Sequence, residues 1–503
     1  MRRKDHKHDL WSEKMEKKVI LLLIDSLMWE TVEKGISDGS TPAIKFLVER
    51  GRVWKDTVTV FPTMTASVDS SLLTGVYPDR HKVPGLIWYD PITKGMVNYV
   101  NGWKSVLKIG VVKTAHSLLH DLNEKHLSRE VSTLFEELSR RDISSAAINA
   151  VVHRGPVEHR LRVPFLLRLI TGTTLEKPIF GPEWITLGAL LPTEVNRKVS
   201  WWVRGPFKRY GINDAYAVEA LLHHLSLPSP PRFFFVYLSD HDHQVHKSTP
   251  IHALPSLRKV DEKITRILDF FPSWEEAIRQ AVFLVVGDHG QTPIGREKRH
   301  HIDLDRLLSS FSTLPLGKRV KNEELVYANN ERMVFLYPLK EGILERLISH
   351  LGREEKIDLI AWKEKGGVAL RQRGGGERIR FWPEGAWKDP YGREWGIDGE
   401  MPKEVALVKG EHILFDEYPD LFSRLYGALY CQEIPMVVVT AAPGYEFKSR
   451  FYPSHLGGSS HGSLHRFDSY VPLIITGADL PYPTPPRLID VKEYILRLLS
   501  PSS

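Results

Sequence analysis

Seven residues spread along this chain have the side-chain types of a two-metal hydrolase centre: Asp25, Thr65, Asp242, His246, Asp288, His289 and His461. Two divalent cations flanking an activated hydroxyl can drive attack on a phosphoryl-type centre. Asp25 closes the apolar run VILLLID, and Asp288 with His289 closes AVFLVVGDHG. Asp242 and His246 are four residues apart in SDHDHQVHK, about one helical turn, so both side chains can face one ion. Asp240, His241 and His243 compete for that role. His461 sits in GGSSHG, and His455 and His465 nearby could take its place. Thr65 is the candidate nucleophile, and its hydroxyl needs activation to react at neutral pH. Thr63, Ser67, Ser70 and Ser71 lie on the same segment and could replace it.

These residues need elements that bring them together. Residues 19–25 read as a buried parallel strand. Further strands are expected at 52–60, 143–152, 232–238, 281–287, 434–440 and 471–476. The segment TPAIKFLVERG opens a helix with Thr41 at the cap, Pro42 in the first turn and Gly51 at its end. Thr65 is expected to cap a short helix through TASVDSSLLTG, where free N–H groups favour an anionic transition state. Other helices are expected at 129–141, 213–226, 256–270 and 488–499. This alternation predicts an α/β fold, a mainly parallel central sheet with helices on both faces. Asp25, Asp288 and His289 follow strands directly, and Asp242 follows one by a few residues. Ligands of open α/β sheets bind beyond the carboxyl ends of strands, so these strands could deliver the residues to one edge.

Two regions break the rhythm. A Pro-, Trp- and Arg-rich stretch at about 155–212 reads as a cap. Residues 320–430, with a glycine turn at Gly374, Gly375 and Gly376, read as an inserted α+β subdomain. The expected division is a polar tail over 1–18, a first core part over 19–319, the insertion over 320–430 and a second core part over 431–503.

With 503 residues and 42% hydrophobic content, the chain can bury a large core. The net charge of +6 is dispersed, and nothing in it indicates a nucleic-acid polymer as partner. A small phosphoester is the expected partner, and the oligomeric state is left open. One cysteine, Cys431, excludes an intrachain disulfide. No apolar run reaches the ~18 residues of a membrane helix, and the cytoplasm is the expected location. The apolar stretch 161–192 could line an acyl pocket or rest on a membrane surface, although a packed lid or dimer contact is the plainer reading.

The motifs LLLIDS, FPTMTASVDSSLLTGVYPDRHKVPG, the Asp242/His246 pair, VVGDHG and GGSSHG stand in the order found in the alkaline phosphatase superfamily. The chain resembles that superfamily's type I phosphodiesterase/nucleotide pyrophosphatase branch. The resemblance implies that Asp25, Thr65, Asp288 and His289 surround one metal and that Asp242, His246 and His461 hold the other. It implies two divalent cations, Zn²⁺ or alternatively Mn²⁺. The implied reaction is attack by the activated Thr65, a phosphothreonine intermediate, and its hydrolysis by water.

Nucleotide-cleaving relatives place Phe after the nucleophile, where this chain has Ala66. They also place a phosphate-binding Asn where the ungapped match gives Leu86. The phosphate is then expected to be held by the N–H of Ala66, by Asn149 or by Arg154. The leading expectation is a phosphodiesterase or pyrophosphatase. A phosphomonoesterase, a phosphonate hydrolase, and a catalytically silent binding protein on the same scaffold are the competing readings.

Overall fold

The computed structural model describes residues 16–500 apart from 163–164, 166–167, 170–177, 192 and 374–376. The expected glycine turn at 374–376, most of the polar tail and much of the 161–192 stretch lie outside the described residues.

A seven-stranded sheet forms the first layer. From edge to edge its strands are Gly51–Val58, Tyr470–Thr476, Ala281–Gly287, Lys18–Ile24, Phe233–Leu238, Ser145–Ile148 and Trp184–Thr186. Lys18–Ile24 runs parallel to both Ala281–Gly287 and Phe233–Leu238, while Tyr470–Thr476 runs antiparallel to its two neighbours. The α/β class and the mainly parallel sheet are as expected.

Continuous apolar runs suit strands buried on both faces. Along the central strand, Val19, Leu21 and Leu23 enter one core cluster. Leu72 and Leu73 of helix Thr65–Thr74, Phe135 of Leu134–Arg140 and Ile495 of Val491–Leu499 belong to it. Ile20, Leu22 and Ile24 enter the other cluster, with Leu47 of Pro42–Arg50, Leu221 of Asp214–Leu225 and Ile264 of Leu254–Leu268. Each fully buried Leu, Ile or Phe contributes about 1.5–3 kcal/mol relative to exposure. The strand is therefore fixed in register from both sides, and so is the Asp that follows it.

Thr41 occupies the cap position of the Pro42–Arg50 helix, but its side chain makes no capping bond. Asp261 instead accepts the N–H groups of Ala43 and Ile44, at 3.3 and 2.7 Å. Gly51 ends that helix in extended backbone and begins the next strand.

In the 155–212 region, Val157–Arg160 pairs with Pro178–Gly181. Trp184–Thr186 joins the edge of the core sheet beside Ser145–Ile148. A second, nine-stranded sheet occupies much of the C-terminal half. It begins with the hairpin Leu325–Asn330 and Met333–Pro338, which turns at Glu331 and Arg332. The strand expected over 434–440 forms as Val437–Ala441, but it does not return to the core sheet. It inserts between Met333–Pro338 and Ile357–Glu364 in the second sheet. Its apolar run reports burial on both faces, and burial alone does not specify which sheet provides it.

Among the described residues, no helix is long and apolar enough to cross a membrane.

Candidate metal centre and active site

The site is built at the carboxyl ends of three adjacent parallel strands. Asp25 follows Lys18–Ile24, Asp288 and His289 follow Ala281–Gly287, and Asp242 opens a single helical turn after Phe233–Leu238. His246 ends that turn. His461 arrives on a loop whose preceding residues, Ser459 and Ser460, pair with Thr292 and Pro293.

Candidate donor atoms form overlapping groups of three, each within 4.8 Å: Asp25–Asp288–His289, Asp242–His289–His461 and His246–Glu331–His461. The His289 Nε2 lies 3.5 Å from Asp25 Oδ1 and 3.4 Å from Asp288 Oδ2. His246 Nε2 lies 3.3 Å from Asp242 Oδ1. Donors held 2.0–2.2 Å from one tetrahedral ion stand about 3.4 Å apart, so these spacings suit a shared cation.

The hydrogen bonds around the donors agree. Among the described residues, Asp25 Oδ1, Asp288 Oδ2 and His289 Nε2 are buried without a hydrogen-bond partner. Such orphaned polar atoms are costly, and a cation among them would satisfy all three. Their other atoms are engaged. Asp25 Oδ2 accepts the Tyr237 hydroxyl, and Asp288 Oδ1 accepts the Ser26 N–H at 2.9 Å. His246 Nδ1 pairs with the Ser459 carbonyl at 2.9 Å and His461 Nδ1 with the Thr63 carbonyl at 2.6 Å. A carbonyl partner requires the proton on Nδ1, which leaves Nε2 of both rings free as a donor to an ion. Asp242 Oδ1 accepts from Ser26 Oγ and Gln291 Nε2, both at 2.7 Å.

The electrostatics are those of an anionic pocket. Burial, then Asp242 and Asp288, holds the Asp25 carboxyl well above its usual range. Burial, with Asp242 adding to it, pushes Asp288 up to about 6. Burial also pushes Asp242 upward, but His246, His461 and His289 outweigh it and hold this carboxyl low. Burial lowers His289 and His461 to about 4, so both rings are neutral at neutral pH. Repelling carboxylates beside neutral imidazoles are the donor chemistry of a divalent cation site.

Thr65 is the first residue of its helix. The cap is Met64, in extended backbone and with no side-chain capping bond. The expectation that Thr65 caps the helix is thus off by one residue. Its backbone is already helical, so its hydroxyl is not committed to the cap. The competing hydroxyls are buried and engaged. Thr63 Oγ1 accepts the Gly462 N–H at 2.7 Å, Ser70 Oγ donates to the Ala66 carbonyl at 2.7 Å, and Ser67 Oγ donates to the Val83 carbonyl at 3.3 Å. Ser71 Oγ pairs with His81 Nε2 at 2.8 Å. Thr65 alone of the five is only partly buried. The Thr63–His461 and Thr63–Gly462 bonds dock its segment against the metal-site loop.

Three of the residues that compete with the candidate ligands in sequence, Asp240, His455 and His465, are paired elsewhere. Asp240 pairs with Arg209, and His465 pairs with Glu417 at 2.7 Å. His241 is buried, while His243 is exposed. His455 stacks on His246 with ring centroids 4.2 Å apart and pairs with Glu446 at 3.1 Å. Of the expected phosphate holders, Asn149 and Arg154 are engaged elsewhere. Asn149 bonds the Gly188 N–H and the Gly211 carbonyl, and Arg154 is buried against Glu136 and the carbonyls of Leu127, Ser128 and Val131. At the start of the helix that Thr65 opens, the Ser67 N–H donates to the Met64 carbonyl at 2.9 Å, while among the described residues the Thr65 and Ala66 N–H groups have no acceptor.

Glu331 was not legible from the motifs. It stands at the tip of the second-sheet hairpin with φ +63°, a left-handed conformation that costs a non-glycine residue about 1–2 kcal/mol. Arg332 beside it is wholly buried in an ion pair with Asp468 at 2.5 Å, and its N–H reaches the His461 carbonyl at 2.9 Å. A separate group, His116, His120 and Asp121, also has ligand types, but the Lys125 ammonium 2.8 Å from Asp121 already supplies its cation.

Comparisons with known proteins identify a family and a fold. The family described as type I phosphodiesterase / nucleotide pyrophosphatase is matched over residues 19–372. Among solved structures, the chain is similar to murine ectonucleotide pyrophosphatase/phosphodiesterase 5, an inactive form in complex with AMP. The identity is 15%, the TM-score 0.57, and the coverage 96% of this chain and 95% of that one. It is also similar to phosphonoacetate hydrolase from Sinorhizobium meliloti 1021 in complex with phosphonoformate, at 15% identity and TM-score 0.55, covering 96% of both chains. No curated protein sequence matches significantly.

Proposed function

This chain belongs to the type I phosphodiesterase/nucleotide pyrophosphatase family and is a phosphoester hydrolase, and from that premise we propose that it is a two-cation phosphodiesterase or pyrophosphatase with Thr65 as nucleophile. The observation that carries this reading is the set of converging orphaned atoms, Asp25 Oδ1, Asp288 Oδ2 and His289 Nε2, with the His289 ring stacked on His461, whose Nδ1 bonds the Thr63 carbonyl.

Asp25, Asp288, His289 and Thr65 would hold one cation, and Asp242, His246 and His461 the other. Bound cations would supply positive charge at the phosphoryl oxygens and lower the pKa of hydroxyl and water. The rest falls to the chain. Thr65 gives up its proton and its Oγ bonds to phosphorus as the bond to the leaving oxygen breaks. The leaving oxygen departs as the alcohol or phosphate once protonated. Water then attacks the same phosphorus, releases the phosphate product and returns the proton to Thr65. The N–H groups at the start of the Thr65–Thr74 helix would receive the developing negative charge. Ser26, Gln291 and Tyr237 orient the carboxylates, while the Thr63 and Ser459 carbonyls orient the imidazoles.

A second reading is favoured by Ala66. It is fully buried and gives no aromatic face for a base, so a compact substrate such as a phosphonate or phosphomonoester suits the same centre. The similarity to phosphonoacetate hydrolase is in keeping with that reading.

A panel of aryl phosphodiester, phosphomonoester and phosphonate substrates on metal-analysed protein tests both. Diester preference supports the leading reading, and exclusive phosphonate turnover supports the second. No turnover by protein holding two cations would leave only a binding role.

A further inference from the structure

We propose that Glu331 is a ligand of the second cation, contributed by the hairpin of the second sheet. The inference rests on the two-cation reading above and extends its ligand set by a residue outside every recognised motif.

The carboxylate faces two imidazoles without a hydrogen bond to either. Among the described residues its one side-chain hydrogen bond comes from the Ser460 hydroxyl, which donates to Oε2 at 2.9 Å. The same oxygen faces His461 Nε2 at 3.6 Å and His455 Nδ1 at 3.8 Å. Both separations are too long for hydrogen bonds. His455 Nδ1 already has Glu446 as a partner at 3.1 Å. The 3.6 Å spacing from His461 matches the 3.3–3.5 Å found between the other candidate donors, the spacing that two ligands of one ion adopt. Glu331, His246 and His461 also form one of the compact donor groups.

The backbone holds the carboxylate there. The Phe447 N–H donates to the Glu331 carbonyl at 2.9 Å, and the next residue's N–H donates to the His461 carbonyl at 2.9 Å. Gly462 passes so close to the hairpin that a Cβ there would lie 2.4 Å from the Asn330 carbonyl oxygen. The hairpin tip and the His461 loop are therefore one packed unit. On this account the second site carries two carboxylates and two imidazoles, and it is complete only with the second sheet docked on the core.

The test measures metal directly. Zinc content after dialysis, stepwise zinc affinities by chelator competition, and the visible spectrum of the cobalt-substituted protein are compared for wild type and Glu331→Gln. The expected result is two ions per chain in wild type and one site weakened in Glu331→Gln. The weakening exceeds the roughly 10–100-fold typical of losing an outer partner, and the cobalt spectrum changes. Should the variant fail to fold, a crystal structure of zinc-loaded wild type decides. A Glu331 oxygen about 2.0–2.2 Å from the ion supports the proposal, and one beyond hydrogen-bond distance overturns it. Equal affinities and spectra in the two proteins also overturn it. Wild type that binds no cation would instead refute the two-cation reading itself.

Discussion

The imidazoles of His289 and His461 lie face to face, with centroids 3.7 Å apart and planes inclined by 14°. One ring follows a core strand and the other comes from a loop near the C-terminus, so the stack joins the two candidate cation sites. Two charged rings could not approach this closely in a buried site, and burial pushes both down to about 4. Asp288 shifts the other way, to about 6. Below about pH 6 it carries a proton that a cation must displace, and below about 4 the two imidazoles do as well. Zinc affinity should fall as the pH drops toward and below 6, by about tenfold per pH unit for each proton displaced, and the raised Asp25 carboxyl adds to the loss. Chelator competition from pH 7.5 to 4.5 measures this, and affinity unchanged from pH 7 to 5 would contradict the ligand set.

Removing the cations should lower thermal stability as well as activity. Asp25, Asp242 and Asp288 then repel one another in a buried site. A cation present at 100 times its Kd stabilises a fold by about 2.7 kcal/mol through binding alone. Melting curves with chelator and with added Zn²⁺ should differ by several degrees, with recovery on re-addition. Superimposable curves would mean that no ion is bound.

Gly462 has φ +115°, and an added Cβ would lie 2.4 Å from the Asn330 carbonyl oxygen and 2.8 Å from Met64 Cε. Gly462→Ala should cost about 1–3 kcal/mol from strain, displace His461 and reduce metal content. Gly410→Ala is the control, with φ +62° and open space around the site. It should show the conformational cost alone, with both ions retained.

His81, in the YPDRH segment, is fully buried. It accepts the Val83 N–H on Nδ1 at 3.1 Å and pairs with Ser71 Oγ through Nε2 at 2.8 Å. Burial pushes it down to about 3. The unfolded chain takes up this proton near pH 6.5 and the folded protein only near 3. The stability that His81 contributes above pH 6.5 is therefore lost as the pH falls from 6.5 toward 3, by up to about 1.4 kcal/mol per unit. Denaturant titrations of His81→Gln should show a shallower acid slope over that window. A slope identical to wild type would exclude His81 as a source of acid lability.

The sequence reveals the core better than it reveals the site's outer parts. Apolar runs ending in Asp25 and Asp288 mark both the central strands and the sheet edge where they deliver carboxylates, because burial and position coincide there. Val437–Ala441 was legible as a strand but not by sheet, since an apolar run records burial and not its partner. Glu331 has no sequence signal. It is one acid in the insertion, and only the docking of Arg332 against Asp468 and His461 brings it to the centre. Asn149 and Arg154 lay close to a core strand in sequence, yet their hydrogen bonds tie them to the cap and to Glu136.

The central claim is that Thr65 attacks phosphorus between two cations. Its most direct measurement pairs turnover of an aryl phosphodiester with metal content in Thr65→Ala. The prediction is a fall in turnover of roughly 10⁶-fold, the scale seen on loss of a nucleophile, with His289, His461 and their neighbours still retaining both ions. Wild-type turnover in a variant holding two ions would contradict it.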